Sequence, residues 1–384
     1  MSSNSDEFVG YCVPEGYAFQ RVYVRIHGYI ALIICLLGCA ANSVNIAVLS
    51  RKEMSSSTNS ILTGLAVADL LVMIDYIPFA LHIYTNICAE LNQNSYAWAV
   101  FVYFHSIFSQ TFHTISIWLT ITLAVWRFIA IKFPQKNRTL CNKKNTNIAI
   151  GVAYAVCPIL CLPIYFAMNI QEIPRSSING SENGTLNETD TVNASTNTEP
   201  QYAITMTHNN DLLTAIFWIY SVFLKLIPCV VLSILSVLLI LKMKSSDRRR
   251  QKLLKKSAIS TNEVIYFITP RLNEDGGKRG GGGGGGGRTD RTTRMLVALL
   301  GLFLATELPQ ALFGLLTAIA PHLFQICYYA FGEVMDLMAL VGSAVNFVLY
   351  CSMSRQFRST FTRLARKVLP LGRGQGEPIT ALKA

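Results

Sequence analysis

The chain has 384 residues, 51% apolar and only 14% charged, with a formal net charge of +11 and a mean hydropathy of +0.37. A soluble domain of this length would need far more charge to wet its surface, so the composition excludes an ordinary globular protein. The positive balance does not point to nucleic acid either, because the basic residues sit in short runs beside apolar blocks.

Residues 1–26 open with a polar, acidic stretch that has neither a basic leader nor an apolar core. The first apolar block is therefore expected to direct its own insertion. Seven blocks follow, at roughly 27–50, 61–84, 97–131, 148–169, 212–243, 295–320 and 326–351. Each is about the 20 residues that a helix needs to cross a bilayer. Backbone groups in hydrocarbon must satisfy one another, which makes these blocks helices. The expected fold is an all-α membrane protein: a seven-transmembrane helix bundle over 27–351, then a cytoplasmic tail over 352–384.

Basic residues crowd alternate loops. Arg51 and Lys52 follow the first span; Lys132, Lys136, Arg138, Lys143 and Lys144 lie between the third and fourth. Arg248, Arg249 and Arg250 follow the fifth, and Arg355 to Lys367 follow the seventh. The positive-inside rule makes that side cytoplasmic. The opposite loop, 170–211, is acidic and carries glycosylation sequons at Asn179, Asn183, Asn187 and Asn193. The expected location is thus the plasma membrane, multi-pass, with the N-terminus extracellular. Most of the ten cysteines fall within spans, where a free thiol is a small apolar residue. Cys12, Cys88 and Cys327, the last at the outer edge of the seventh block, are expected on the extracellular side, and a Cys12–Cys88 bridge is one way to tie the N-terminal segment down.

The loop 244–294 passes from a basic stretch to eight glycines, Gly280 to Gly287, a flexible linker by composition. Beyond the seventh span, Phe357, Phe361, Leu364 and Val368 recur at helical spacing against Arg358, Arg363, Arg366 and Lys367. This predicts a short amphipathic C-terminal helix on membrane lipids of the anionic inner leaflet.

Ionisable residues inside a bilayer are costly and normally face a bundle interior or cavity. Lys225 in the fifth span and Glu307 in the sixth both fall about 20 Å deep at about 1.5 Å per residue, which predicts an ion pair. Asp75 and Asp336 come out shallower, and with Glu333 they make an acidic vestibule. His105, Gln110, His113 and Thr114 make the third span too polar to face lipid, so it is placed at the centre. Ligand contacts are therefore expected at Asp336, Glu333, Asp75, His105, His113, Glu307 and Lys225. Deeper still, Asp69, Ser116 and Asn346 offer a carboxylate, a hydroxyl and an amide, a set suited to sodium or to a water cluster.

At these residues the chain resembles rhodopsin-like G-protein-coupled receptors over nearly its full length. Asn42, Leu65-Ala-Val-Ala-Asp69, Pro228, Pro309 and Asn346-Phe-Val-Leu-Tyr350 stand in the order of that family's landmarks. There are departures. Trp126-Arg127-Phe128 replaces Asp-Arg-Tyr, Thr306-Glu307-Leu308-Pro309 replaces Cys-Trp-x-Pro, and Phe347 replaces the proline of Asn-Pro-x-x-Tyr. The usual disulfide to the second outer loop cannot form, since 170–211 contain no cysteine. With Lys225-Leu-Ile-Pro-Cys229 and Arg291-Thr-Thr-Arg-Met295, the set is similar to the invertebrate myosuppressin and FMRFamide-like peptide receptors.

That resemblance implies ligands ending in Arg-Phe-amide, heterotrimeric G-protein partners of the inhibitory class, and no cofactor beyond sodium. It also implies activation and coupling roles for Trp126, Arg127, Phe128, Asn346, Tyr350, Pro309, Arg291 and Arg294, with Asp290 as a resting partner for Arg127. The rival reading is a polytopic transporter using the same buried charges, although no inverted repeat of broken helices is visible. An enzyme finds no support: neither a nucleophile motif nor a phosphate loop is present.

Overall fold

The computed structural model describes residues 15–85, 94–173, 200–207, 209–242, 287–320, 327 and 330–368, with isolated positions between 243 and 250. Seven helices among them are long and apolar enough to cross a membrane. They are α1 (Glu15–Leu49), α2 (Ser57–Ile83), α3 (Tyr96–Lys132), α5 (Lys143–Ala167), α6 (Asp211–Lys242), α7 (Gly287–Ile319) and α8 (Gly332–Met353). A short helix α4 (Pro134–Leu140) links α3 to α5, and α9 (Arg355–Val368) follows α8.

Capping side chains explain several helix starts. Ser56 accepts from the amide of Asn59 at α2, Asn142 from Asn145 at α5, and Asn209 from Leu212 at α6. Each satisfies an otherwise unpaired amide of a first turn. Pro78, Pro158, Pro163 and Pro309 lie inside helices, which membrane helices tolerate because neighbouring groups compensate the lost bond. Ser354 accepts from the amide of Phe357 and so starts α9.

Large apolar side chains such as Ile33, Leu37, Ile159, Phe166, Phe223 and Leu241 point outward and are well exposed. In water so much apolar surface would drive aggregation; around a transmembrane bundle it is the lipid face. Packing inside relies on close approach rather than on hydrophobic transfer. A β-carbon added at Gly342 of α8 would lie 3.1 Å from Thr306 Oγ1 of α7, so a small residue is needed there. The helices form a ring in which α3 touches α2, α5, α7 and both strands described below, the central position expected for it.

The structure changes the expected elements in three places. Helix α1 begins at Glu15 rather than near 27, about 18 Å further out at about 1.5 Å per residue. Gln20 donates to Glu333 at 3.1 Å and Phe19 packs on Phe331 at 5.4 Å between ring centres, which holds this polar extension against the start of α8.

The loop 170–211 is not structureless along its whole length. Strands β1 (Met168–Glu172) and β2 (Tyr202–Met206) pair antiparallel, with Met168 opposite Met206. The hairpin is fastened to the start of α3: the Tyr202 amide donates to the Asn94 carbonyl at 2.7 Å, the Asn94 side chain to Gln201 at 3.2 Å, and Tyr96 meets Tyr202 edge-on.

The third change concerns α9, whose apolar face was expected on lipid. It is largely covered by protein: Phe357 is buried against Phe347 and Tyr350, and Phe361 packs on Phe347. Arg363 pairs with Glu53 at 2.9 Å and Gln356 donates to the Glu53 carbonyl, so the helix is clamped to the turn after α1.

Candidate functional site

Among the described residues, Asp69, Asp75, His105, Lys225 and Glu307 are buried inside the bundle, whereas Arg21 and Arg25 near the outer end of α1 are exposed. Glu307 of α7 is 2% and Lys225 of α6 is 8% exposed. Their ion pair measures 2.7 Å, as equal depth predicts. The cluster is larger than that pair. Lys225 also donates to Gln310 Oε1 at 2.6 Å, and His113 Nε2 of α3 lies 3.0 Å from the second Glu307 oxygen, close but poorly aligned for a hydrogen bond. Three helices thus meet at one carboxylate. Removing one partner of a buried pair leaves a bare charge, at a cost of about 3–5 kcal/mol.

The segment that delivers Lys225 is not regular α-helix: Ile219–Leu226 form a π-helical stretch. Such wide turns recur at functional sites. Here it puts Tyr220, Ser221 and Lys225 on the inner side of α6 together. Pro228 two residues later cannot donate a backbone bond.

The three vestibule carboxylates are not equivalent. Asp75 is bonded to His105 Nδ1 at 2.7 Å, beneath the stacked rings of His105 and Phe79. One oxygen of Glu333 accepts from Gln20, while the other is buried with no partner among the described residues. Asp336 opens into a cavity of about 280 Å³, lined also by Tyr76, His105, Gln110, His113, Lys225 and Gln310. It is exposed to that cavity and has no hydrogen-bonding partner among the described residues. The expected acidic vestibule thus becomes one available carboxylate beside two engaged ones. The Asp75–His105 bond has no local sequence signal, since the two residues stand 30 positions apart on different helices.

A second cavity, about 230 Å³, adjoins the first. Ser106, Gln110, Lys225 and Gln310 line both, and Met168 and Met206 of the hairpin, Ile164 of α5 and Ile216 and Tyr220 of α6 complete its wall. No sequence expectation covered it, since its roof is the unforeseen hairpin.

Deeper in the bundle, Ser116 donates to Asp69 at 2.8 Å and Asn346 to the other Asp69 oxygen at 2.9 Å. The void beside them is only about 30 Å³ and is also lined by Ser343 and Thr120. One carboxylate among hydroxyls suits a small hard cation or a water. Asn42 of α1 donates to the Ser343 carbonyl, tying this region to α1.

At the α4 and α9 end, Trp126 Nε1 donates to Thr146 at 2.9 Å, fastening α3 to α5. The Trp that replaces the usual acid is thus a packing and hydrogen-bonding residue. Arg127 Nε is buried without a partner among the described residues, and so is the Tyr350 hydroxyl. Phe128 packs against the lower core, and Pro309 lies within α7. The side chains of Asp290, Arg291 and Arg294 lie outside the described residues, as do Gly280 to Gly286 and the sequons at Asn179, Asn183, Asn187 and Asn193.

The expected Cys12–Cys88 bridge also lies outside them. Cys327 is itself in a disulfide, whereas Cys35, Cys39, Cys141, Cys157, Cys161, Cys229 and Cys351 are free. Cross-linking at the hairpin end therefore involves a cysteine that the expected pair left out.

Comparison with known proteins agrees with this architecture. The chain is 31% identical over 360 residues to the G-protein coupled receptor dmsr-1 of Caenorhabditis elegans, covering 89% of this chain and 68% of that one. It is 28% identical to the sex peptide receptor-related protein 2 of the same organism, over 92% and 75% of the two chains. The sex peptide receptor of Drosophila melanogaster is 26% identical, over 88% and 72%. The model of the serpentine-type seven-transmembrane chemoreceptor family Srw matches residues 29–270 and 283–367, which take in the first membrane-crossing helix from residue 29 and the other six whole. Seven membrane-crossing helices, their landmark residues and that match place the chain in the Srw family of serpentine G-protein-coupled receptors.

Proposed function

We propose that this receptor is activated by short amidated neuropeptides of the FMRFamide and myosuppressin kind, ending in Arg-Phe-amide. It would act at the plasma membrane with the N-terminus and hairpin outside, and signal through inhibitory heterotrimeric G proteins. The observation that carries this reading is Asp336. It is an available carboxylate facing a chamber whose other charges are internally matched. A guanidinium fits it through charge-assisted hydrogen bonds, roughly twice as strong as neutral ones. The names of two relatives, a sex peptide receptor and a related protein, favour a peptide over a small amine. An amidated C-terminus brings no negative charge, and the cation nearest the chamber floor, Lys225, is already neutralised by Glu307.

The Lys225–Glu307–His113 cluster is the natural transmitting element, because it joins α3, α6 and α7 within one turn of Pro309. A ligand shifts such an element only by binding one arrangement more tightly than the other. A sodium ion beside Asp69 would favour the arrangement in which Ser116 and Asn346 converge on it.

The test compares Phe-Met-Arg-Phe-amide with its citrulline analogue and its free acid on cells expressing the wild type and Asp336→Asn. Loss of the ligand's positive charge is expected to lower potency about 10- to 100-fold in the wild type, the scale of a charged hydrogen bond. It should change little in Asp336→Asn. Unchanged potency and unchanged arginine preference in Asp336→Asn would overturn the assignment.

A further inference from the structure

We infer that the two adjoining cavities receive two different side chains of one ligand, and that the chamber under the hairpin is the specificity pocket for an aromatic C-terminal side chain. This rests on the peptide reading above and adds which residues choose the ligand's last side chain. The first chamber carries Asp336 and is polar. The second is walled by Met168, Met206, Ile164, Leu213 and Ile216, with no charged group but Lys225 among its described lining residues. The boundary between them is the row Gln110, Lys225 and Gln310, which both share. Successive side chains of an extended segment point in opposite directions. A cation and an apolar group on neighbouring residues can therefore enter opposite sides of that row.

Size agrees. An apolar cavity of about 150 Å³ lodges benzene, and this chamber, at about 230 Å³, has room for a phenyl ring with a terminal amide beside it. Methionines at the roof adapt to an irregular ring and make favourable sulfur–aromatic contacts. One polar group in the wall can serve the amide: the Tyr220 side chain lines the chamber, and its hydroxyl is buried beside the Cys161 thiol, a weak partner that a ligand amide would better. A buried hydroxyl in that state favours a ligand that supplies a partner. A carboxylate arriving at the same place would find the charge of Lys225 already matched by Glu307. The floor of the chamber is close-set, because a β-carbon at Gly314 would come within 2.6 Å of Ser221 Oγ.

The experiment uses the full chain in cells, with surface levels measured by an extracellular tag. The probes are Phe-Met-Arg-Phe-amide, its analogues with terminal alanine, tryptophan or citrulline-phenylalanine, and its free acid. Ile216→Trp fills the chamber and should cost the phenylalanine peptide about 10- to 100-fold in potency while leaving the alanine peptide within a few-fold. Ile216→Ala enlarges it and should improve the tryptophan peptide relative to the parent. Tyr220→Phe should narrow the gap between amide and acid.

Equal effects of the Ile216 changes on every peptide would overturn the pocket assignment, whatever Asp336→Asn does. If the Ile216 series discriminates but citrulline has no effect, the chamber stands and the Asp336 reading falls. Failure of all the peptides on the wild type would sink both.

Discussion

The two halves of the bundle handle polarity differently. Towards the α4 and α9 end, Asp69 receives both Ser116 and Asn346, Trp126 bonds Thr146, and Leu119, Leu123, Leu232, Leu239 and Tyr350 pack around them. Towards the hairpin, polar groups stand around open space. His105, Gln110, His113 and Asp336 line a chamber that protein atoms do not fill. A half that closes its space is built to hold one arrangement, even with Arg127 Nε and the Tyr350 hydroxyl left without partners among the described residues; a half with an available carboxylate facing open space is built to be completed by something else. The Lys225–Glu307–His113 cluster lies at the boundary and belongs to both.

That contrast breaks most visibly at the boundary. Glu307→Ala strands Lys225 in the bilayer and should cost about 3–5 kcal/mol, seen as a large loss of receptor at the cell surface. Replacing both partners by apolar residues, Lys225→Met with Glu307→Leu, should recover surface level but not peptide response. If Glu307→Ala matches the wild type in both, the cluster is not the link between the halves.

Sharper resolution within the chamber comes from Asp75→Asn set beside Asp336→Asn. Because Asp75 is already bonded to His105, its neutralisation should shift potency less, by roughly the 1 kcal/mol of one internal hydrogen bond. An equal shift would mean that the ligand displaces His105. Smaller again, Trp126→Phe removes the bond to Thr146 and should lower the melting temperature of solubilised receptor by the equivalent of about 0.5–1.5 kcal/mol, with peptide affinity unchanged. The least effect is expected from replacing sodium by a bulky organic cation. If an ion sits beside Asp69, agonist affinity should rise a few-fold, and Asp69→Asn should erase that rise.

Much of this was legible in the sequence. Blocks of apolar residues gave most span ends to within a few positions, the start of α1 being the clear exception, because the bilayer imposes one length and one backbone solution. Equal depth gave the Lys225–Glu307 pair, because a charge in lipid tolerates few alternatives. What escaped was whatever depends on packing between distant segments. The Asp75–His105 bond needs a particular rotation of α2 against α3. The extension of α1 to Glu15 depends on Gln20 meeting Glu333 and Phe19 meeting Phe331, not on hydropathy. Nothing in the strands Met168–Glu172 and Tyr202–Met206 distinguishes them from loop, and their pairing is held by contacts at Asn94 and Tyr96. The second chamber was invisible for the same reason.

The wide turn at Ile219–Leu226 has a consequence for how this surface can be altered. A wide turn takes up one extra residue inside an otherwise regular helix, which advances about 100° per residue. Deleting one residue of that stretch would therefore restore regular winding while Ile216 and Lys225 keep their faces, and it would change only how Tyr220 and Ser221 meet the chamber. The same deletion in the regular helix on either side would swing everything before it by more than a quarter turn, so this stretch is the place where α6 best tolerates a change of length.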